Sequence, residues 1–383
     1  MNPSRAKPQN SAAIAALFPD LLGVGGIQEA SRQTAHALHN FSLRLQCPLD
    51  FLGLNDAPGT HDYSVGDANI TVRGFGRAKW RFVLAVMACA REKPRLVLAA
   101  HPNLAVPAMW MKRLAPQTKV VVLAHGIDVW ERLSSSRHAA LLAADLVLAP
   151  SSYTAQKLTE VQSMPQHKIR KLPWPLSSDV LKMAASPTNL PLPKNFPASP
   201  VILTVGRWAA SERYKGADDL IRAVAHLRTA FPGLNLVAVG GGDDLPRLKN
   251  IAKDLNVSAA VHFLEGISRQ QLAACYARSD IFALPSTGEG FGFVFLEAMA
   301  FGKPIVGARA GGATDLVDDR VNGLLVPPRD TQALAQALEQ LIRDASLRTK
   351  LGQHGAQIIQ QKYSFEVFQA SFAGILAECG LQV

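Results

Sequence analysis

Short, uninterrupted apolar runs recur along the chain, and stretches with a helical pattern separate them. The runs lie at 95–100, 119–124 and 145–149 in the first half, and at 201–205, 234–239, 261–264, 281–284 and 304–306 in the second. Continuous rather than alternating apolar runs are typical of strands buried on both faces of a parallel sheet. The pattern therefore predicts an α/β protein with doubly wound sheets.

Seven prolines interrupt this pattern between residues 173 and 200. Proline fixes φ and lacks a backbone donor, so no regular element is expected there. We predict an interdomain connection, between an N-terminal domain at 1–175 and a C-terminal domain at 200–362. A single long loop within one domain is the alternative. With 383 residues, the chain has the length of two domains.

The strongest candidate for chemistry is the glycine-rich stretch PSTGEGFGFVFLEAMAFGKPIVGARAGG at 285–312. It follows a predicted strand, and Phe293–Phe301 is predicted to form a helix. A strand end, a glycine-rich turn and a helix N-terminus together make an anion site. Glu289 and Glu297 bracket the turn, and carboxylates there can accept hydrogen bonds from the paired hydroxyls of a ribose or a hexose.

This stretch resembles the signature of the retaining group 1 glycosyltransferases of the GT-B fold, in which seven residues separate two glutamates. Glu289 and Glu297 match it in spacing and context, and NGLLVPPRD at 322–330 continues the resemblance. It implies two Rossmann-like domains facing a deep cleft, with Glu289 on the donor sugar and Glu297 on the nucleotide ribose. The amides after the turn would hold the donor sugar and diphosphate: those of Gly290, Phe291, Gly292 and Phe293.

The stretch TVGRWAASERYKG at 204–216 supplies candidate cations. Arg207 and Lys215 match the two ends of the family's GR…KG pattern. The resemblance implies that they neutralise the leaving diphosphate, a role suited to a guanidinium and an ammonium. The intervening loop is longer than the common form, so Arg213 is an alternative to Lys215 as the phosphate ligand.

The first half carries weaker signals. GVGGIQ at 23–28 follows the apolar run 12–17 and precedes a predicted helix at 29–38. By itself it fits a tight turn. The resemblance places Gly25 and Gly26 near the donor phosphates and the acceptor.

A histidine follows the run at 119–124. The resemblance implies that this residue, His125, lies close to the donor hexose, with Asp128 and Arg132 as candidate acceptor contacts. His101 ends the preceding run and is either part of the cleft lining or a histidine satisfied by structural hydrogen bonds.

Two further turns end strands of the second half, at 240–244 and 265–268. Both are consistent with a nucleotide site and also with plain turns. The resemblance implies that Gly266 lies near the base. Asp315 stands where the family commonly has glutamate, and we assign it no role. The segment 363–383 resembles the family's C-terminal helix, which implies that it packs back on the N-terminal domain.

The net charge of +10 is unevenly distributed. Residues 1–172 contain 20 Lys and Arg against 11 Asp and Glu, whereas residues 173–383 contain 20 against 19. This asymmetry indicates an anionic partner for the first half. Arg77, Lys79 and Arg81 flank Trp80 at the start of a predicted helix, a pattern that suits an anionic membrane surface. A merely solvated helix end is the alternative, and no nucleic-acid-binding signature is present.

Other features of the sequence indicate the cellular compartment in which the protein is expected to lie. The longest clean apolar run, 82–90, is shorter than the ~20 residues that span a bilayer. Residues 1–20 show no signal-peptide pattern. The cysteines are widely spaced and form no CxxC motif, which favours a reduced, cytoplasmic compartment: Cys47, Cys89, Cys275 and Cys379.

These observations predict a retaining glycosyltransferase that moves a hexose from a GDP- or UDP-linked sugar to an acceptor hydroxyl. A lipid-linked saccharide in cell-surface polysaccharide or glycolipid synthesis is the expected acceptor, and the enzyme is expected to lie in the cytoplasm or on the membrane's inner face. The sequence has no Asp-x-Asp motif, so no metal or other cofactor is expected. The alternatives are a catalytically silent sugar-nucleotide-binding subunit and a GT-B-type sugar-nucleotide epimerase. A dinucleotide oxidoreductase is disfavoured because Gln28 stands where its third glycine belongs.

Overall fold

The computed structural model describes residues 13–23 and 25–381. The chain divides into two compact units, the first comprising 1–175 and 366–383 and the second 176–365. The prediction about a signal peptide falls mostly on residues 1–12, which lie outside the described residues.

The first unit alternates strands and helices along most of its length. Its elements are β1 (Ile14–Phe18), α1 (Gly26–Leu45), β2 (Leu49–Gly53), β3 (Gly59–Val65), β4 (Ala68–Gly74), α2 (Lys79–Cys89), β5 (Leu96–Ala99), α3 (Ala105–Leu114), β6 (Lys119–Leu123), α4 (Ile127–Trp130), α5 (Ser135–Ala143), β7 (Leu146–Ala149), α6 (Ser152–Glu160) and β8 (Ile169–Lys171).

These strands form one sheet in the order β3-β4-β2-β1-β5-β6-β7-β8. All neighbours are parallel except β3 and β4, which form an antiparallel hairpin. After β1 the chain first adds strands on one side, and from β5 onward it adds them on the other. This reversal creates a switch point at the carboxyl ends of β1 and β5, the place where ligands bind in such sheets.

The second unit repeats this plan. Its elements are α7 (Ser178–Ala185), β9 (Val201–Val205), α8 (Ala217–Leu227), β10 (Asn235–Val239), α9 (Leu245–Asp254), β11 (Val261–Leu264), α10 (Arg269–Arg278), β12 (Ile281–Leu284), α11 (Phe293–Ala300), β13 (Ile305–Ala308), α12 (Ala313–Leu316), β14 (Gly323–Val326), α13 (Thr331–Arg343) and α14 (Ala345–Lys362). The parallel sheet has the order β11-β10-β9-β12-β13-β14, which places its switch point between β9 and β12.

The last helix, α15 (Phe365–Glu378), belongs to the first unit. The Phe368 ring packs on Trp174 with the ring centroids 5.9 Å apart. Asn40 of α1 donates a hydrogen bond of 3.1 Å to Gln369, and Arg170 of β8 forms a salt bridge of 2.7 Å with Glu378. The helix is therefore bound to the first sheet by both apolar and charged contacts.

The expectation that no regular element crosses 173–200 is wrong. Helix α7 occupies the proline-free window 176–186, where its first turn is capped by the Ser177 side chain. It packs against α10 and α11, so residues 176–200 are part of the second unit. The prolines lie on both sides of the helix. Counting them over 173–200 hid the eleven proline-free residues between Pro175 and Pro187.

Strands β2 to β4 were missed by the search for continuous apolar runs. In β4 every second residue is buried, and β3 is largely exposed. Such alternation is expected where an antiparallel hairpin has one face in solvent. No helix in ranges 13–23 and 25–381 is both long enough and apolar enough to span a membrane.

Candidate active site

The switch point of the second sheet brings the two strongest sequence motifs together. Strand β9 leads into Arg207 and Lys215, and its neighbour β12 leads into Glu289. The Lys215 ammonium lies 3.1 Å from the Glu289 carboxylate, and both side chains are about seven-eighths buried, at 14% and 13% exposure. Two motifs that are 74 residues apart in sequence thus form one charged pair.

A second carboxylate completes the surroundings of Lys215. Glu212 lies 3.8 Å from its ammonium and also binds the Arg207 guanidinium. The Tyr214 ring lies beneath the ammonium at 5.7 Å. Burial, reinforced by Glu289, raises the pKa of Tyr214 to about 12, so this phenol is neutral at pH 7. Arg207, by contrast, is 73% exposed and available to a ligand in solvent.

Arg213 has a different partner. Its guanidinium lies 3.2 Å from Asp244, which also binds Arg247 at 2.6 Å. Hydrogen bonds from the Arg247 guanidinium lower the pKa of Asp244, and this effect outweighs the opposing effect of burial. Lys215 therefore reaches Glu289, whereas Arg213 fastens its loop to the turn after β10. Which of the two binds the donor phosphates stays a prediction.

The backbone of the EGFG turn is held by close contacts. Gly292 has φ 98° and serves as the N-cap of α11, and no side chain caps this helix. The amide of Gly312 donates a 2.7 Å hydrogen bond to the Glu289 carbonyl. A Cβ at Gly312 would lie 2.7 Å from the Gly290 carbonyl oxygen, so only glycine fits there. The first-turn amides of α11, from Phe293 onward, form the positive end of a helix dipole beside Gly290, Phe291 and Gly292.

Glu297 lies inside α11, and a tyrosine of α10 holds its carboxylate. The hydroxyl of Tyr276, a residue 1% exposed, donates a 2.7 Å hydrogen bond to its carboxylate. The Tyr276 ring stacks on Phe301 at 5.7 Å. Burial and the neighbouring carboxylate hold the pKa of Tyr276 well above its usual range, so the phenol remains a donor. No motif in the sequence pointed to this tyrosine, because it reaches the site from α10.

The turns after β10 and β11 differ in their packing. The carbonyl of Gly241 accepts from the Trp208 amide at 2.9 Å, and the Asp243 carboxylate accepts from the Ala210 amide at 2.7 Å. The first turn therefore braces the loop that carries Arg207 and Lys215. Gly266, with φ 64°, has open space where a side chain would stand, which leaves its backbone accessible.

In the first unit, polar side chains hold the glycine loop after β1. Asp56 is buried and accepts hydrogen bonds from the amides of Leu21 and Leu22. Burial raises the pKa of Asp56 despite these bonds. The buried Arg32 guanidinium donates to the carbonyls of Leu21 and Gly23 at 3.1 and 2.8 Å. Sequence reasoning missed Asp56 because it missed β2, which precedes it.

The loop ends at the glycines singled out by the sequence. Gly25, with φ 148°, is the N-cap of α1, and Gly26 is its first residue. A Cβ on Gly25 would lie 2.4 Å from the Gln28 side-chain oxygen. The helix N-terminus therefore opens onto the switch point of β1 and β5 without a side-chain cap.

His125 is held in a stack of rings. His101 and Trp174 lie on either side with centroids 5.8 and 5.7 Å away. Its Nε2 lies 2.7 Å from the Ala100 carbonyl, which can only accept, so Nε2 carries the hydrogen. Within the described ranges Nδ1 has no hydrogen-bond partner and is the nitrogen left for a ligand.

Asp128 holds the loop around His125. Its carboxylate accepts from the amides of His125 at 3.0 Å and Gly126 at 2.6 Å. Asp128 therefore fastens the loop that carries His125, and its contact with the acceptor stays a prediction. Burial, opposed in part by Asp128, lowers the pKa of His101 to about 4, so His101 is neutral at pH 7. Arg132 is exposed on the segment after α4.

Across residues 13–23 and 25–381, no group of three or more His, Cys, Asp or Glu side chains is placed to hold a metal ion. The cysteines are free thiols, and burial raises the pKa of Cys275 to about 12.

Two family models match the chain. "Glycosyl transferases group 1" matches residues 193–358, and "Glycosyltransferase Family 4" matches residues 24–177. The chain is 31% identical over 281 residues to the GDP-mannose-dependent alpha-(1-6)-phosphatidylinositol monomannoside mannosyltransferase of Mycolicibacterium smegmatis. That match covers 70% of this chain and 72% of the relative.

Solved structures share the whole architecture at lower identity. Sucrose-phosphate synthase from Thermosynechococcus elongatus has a TM-score of 0.76 and 24% identity, covering 96% of this chain and 98% of its own. Anabaena HepE in complex with UDP-glucose has a TM-score of 0.68 and 20% identity, covering 96% and 99%. These structures show the same fold.

Proposed function

The chain belongs to the group 1 glycosyltransferase family and has the GT-B fold; on this premise we propose that it transfers a hexose from a nucleotide-diphosphate sugar to an acceptor hydroxyl, with retention of the anomeric configuration. The observation that carries the proposal is the largely buried Lys215–Glu289 pair beside the N-terminus of α11. It combines a cation and helix amides for a diphosphate with a carboxylate for sugar hydroxyls.

The donor's parts have matching partners in the second unit. Lys215, Arg207 and the first-turn amides of α11 would bind the diphosphate, because all of them present positive charge or N–H groups. Glu289 would accept hydrogen bonds from the hexose and Glu297 from the ribose. The open backbone at Gly266 would lie near the base.

Transfer of the hexose to the acceptor then requires one bond to form and one to break. The acceptor oxygen bonds to the anomeric carbon on the face from which the diphosphate leaves, while the bond from that carbon to the donor's phosphate oxygen breaks. The acceptor proton passes to a phosphate oxygen of the leaving nucleoside diphosphate. Positive groups fixed around the diphosphate stabilise the charge that develops there, which is the largest expected contribution to the rate.

The first unit would bind the acceptor. Nδ1 of His125 is available for the donor hexose, and the uncapped α1 terminus at Gly25 and Gly26 for an anionic group. The M. smegmatis relative is named for GDP-mannose and a phosphatidylinositol mannoside, and Anabaena HepE was solved with UDP-glucose. These names support a GDP- or UDP-sugar donor and a lipid-linked saccharide acceptor. We propose that transfer takes place in the cytoplasm or on the inner face of the membrane.

We also propose that no metal is essential, since cationic side chains and amides are in place for the diphosphate. A panel of GDP- and UDP-sugars, read by nucleotide release and mass spectrometry, tests the function. Lys215→Ala and Glu297→Ala should abolish most turnover, while Lys253→Ala, an exposed lysine of the same unit, should not. Turnover that collapses in EDTA and returns with Mn²⁺ would refute metal independence.

The same panel separates the alternatives. A bound sugar nucleotide that is never consumed would indicate a catalytically silent subunit. A donor recovered with an inverted sugar centre would indicate an epimerase. Product of the opposite anomeric configuration to the donor, read by NMR coupling constants, would refute retention.

A further inference from the structure

The charge excess of the first half lies in one segment. Residues 68–127, which include α2 and α3, contain a single acidic residue, Glu92. The same segment contains ten basic residues: Arg73, Arg77, Lys79, Arg81, Arg91, Lys93, Arg95, Lys112, Arg113 and Lys119. The imbalance is therefore a property of this segment and not of the whole unit.

Large apolar side chains are exposed on the same two helices. On α2, Trp80 and Leu84 lie one turn apart and are 63% and 60% exposed. On α3, Trp110 and Leu114 repeat this spacing and are 41% and 62% exposed. Since α2 packs against α3, the two stripes lie on adjacent helices of one layer. We call this surface the α2–α3 face.

Cations surround these side chains. Arg77, Lys79, Arg81 and Arg113 are exposed, and none forms an ion pair with a carboxylate in ranges 13–23 and 25–381. The Arg81 guanidinium lies over the Trp80 ring at 5.1 Å. Lys112, in contrast, is used within the fold by Asp145 at 2.6 Å.

Helix stability does not explain this arrangement. α2 has no side-chain cap and no acidic residue in its first turn, yet Lys79 and Arg81 lie in that turn. Cations there oppose the helix dipole. Exposed tryptophan and leucine likewise add nothing to the core. Both features suit a partner that is anionic at its surface and apolar below it.

We propose that the α2–α3 face binds an anionic lipid bilayer. Trp80, Leu84, Trp110 and Leu114 enter the headgroup region, where the amphipathic tryptophan ring is favoured. Arg77, Lys79, Arg81 and Arg113 bind lipid phosphates. A nucleic acid offers no apolar layer for the leucines, and a second copy of the same face would bring like charges together. The proposal goes beyond sugar transfer and does not depend on it.

Cosedimentation with lipid vesicles tests whether the cations of the α2–α3 face contribute to membrane binding. We expect binding to phosphatidylcholine vesicles that contain phosphatidylglycerol, and little binding to phosphatidylcholine alone. The triple variant R77S/K79S/R81S should bind about 100-fold more weakly, because each cation near an anionic surface contributes roughly fivefold. The matched control K253S/K350S/K362S removes the same charge from exposed positions of the second unit and should bind as the unaltered chain does.

A second variant separates this face from general attraction of a basic protein. W80S/L84S keeps every charge and should still lose at least about tenfold in vesicle affinity, since about 60% of each side chain is available for burial. Because both positions are exposed, its melting temperature should be unchanged. Tryptophan quenching by brominated lipid should fall in the same variant.

Three results would overturn the proposal. One is equal binding to anionic and neutral vesicles. Another is unaltered affinity of both R77S/K79S/R81S and W80S/L84S. The third is concentration-dependent self-association that W80S/L84S abolishes, without vesicle binding. The vesicle assay contains no sugar donor, so its result does not depend on sugar transfer. Vesicle binding can be absent in a chain that transfers sugar, and present in a chain that does not.

Discussion

The two units have the same sheet plan but use charge at opposite places. In the second unit, charged side chains converge on the switch point, where Lys215 and Glu289 pair. In the first unit, the charged side chains near the switch point hold the backbone of the glycine loop, as Arg32 and Asp56 do, and Arg32 is also neutralised by Glu29. Four exposed cations of the first unit that have no ion pair among the described residues, Arg77, Lys79, Arg81 and Arg113, lie on the α2–α3 face instead. Similar topology therefore does not imply similar ligands.

The division into units also changes the charge comparison. α15 brings Glu366 and Glu378 to the first unit, which then has 20 basic and 13 acidic residues, a net +7. The second unit has 20 and 17, a net +3. The contrast between the sequence halves, +9 against +1, overstates the difference. The position of the cations distinguishes the units better than their number.

The largest expected effect is at the charged pair of the second unit. Lys215→Ala should lower kcat by about 10²- to 10³-fold, as the loss of a group that stabilises developing charge typically does. Glu289→Gln should lower it to a similar extent. Nucleotide release measures both, and Lys253→Ala serves as the control. A loss below about threefold would show that the pair is only structural.

The second effect tests the close backbone contacts of the same site. Gly312→Ala places a Cβ 2.7 Å from the Gly290 carbonyl and forces the EGFG turn to shift. We expect kcat/KM to fall by about 10- to 100-fold, since small displacements of a site are costly. Gly374→Ala, on α15 with nothing within 4 Å of the new Cβ, should leave activity unchanged and raise stability by up to ~1 kcal/mol. Equal behaviour of the two variants would contradict this reading.

The third effect concerns the positioning of Glu297. Tyr276→Phe removes the hydroxyl that binds this carboxylate and should raise KM for the donor about tenfold with little change in kcat, a loss of roughly 1.4 kcal/mol. A merely structural role would instead lower the melting temperature and leave KM unchanged. Tyr153→Phe, in the first unit, is the matched control.

The smallest effect probes the first unit through pH. Burial lowers the pKa of His101 to about 4, with Asp128 opposing and His125 and Arg137 reinforcing the shift. Above pH 6.5 this histidine is neutral in both states. As pH falls from 6.5 towards 4, the unfolded chain gains the proton first, so stability is lost. Between pH 7 and pH 5 the loss should be about 2 kcal/mol.

His101→Gln should remove this part of the pH dependence. Burial also lowers the pKa of His36, which contributes to the pH dependence of stability in both the variant and the unaltered chain. The difference between the two chains therefore reports on His101. Chemical denaturation at pH 7 and pH 5 measures the difference. Equal pH dependence of the variant and the unaltered chain would show that folding does not lower the pKa of His101.

The sequence predicted most of the second unit because its strands are buried on both faces. The runs at 201–205, 261–264 and 281–284 match β9, β11 and β12 to the residue. The resemblance predicted the family and the fold, and both are confirmed. The alternating hairpin β3–β4 was missed because it forms no continuous apolar run, and helix α7 was missed because prolines surround it.

Within the site, side chains brought in from other elements could not be predicted. Tyr276 reaches Glu297 from α10, and Asp244 binds Arg213 from the turn after β10. These contacts depend on strand order, which places β9 beside β12. The roles assigned to His125, Arg207, Lys215 and Glu289 remain predictions.

A double-mutant cycle on Lys215 and Glu289 tests the central claim most directly. If the two side chains act as one unit on the donor, the double variant Lys215→Ala/Glu289→Gln should turn over GDP- or UDP-sugar little more slowly than either single variant. Losses that multiply would show that the two residues act independently. A chain that turns over no sugar nucleotide before any substitution would contradict the donor site itself.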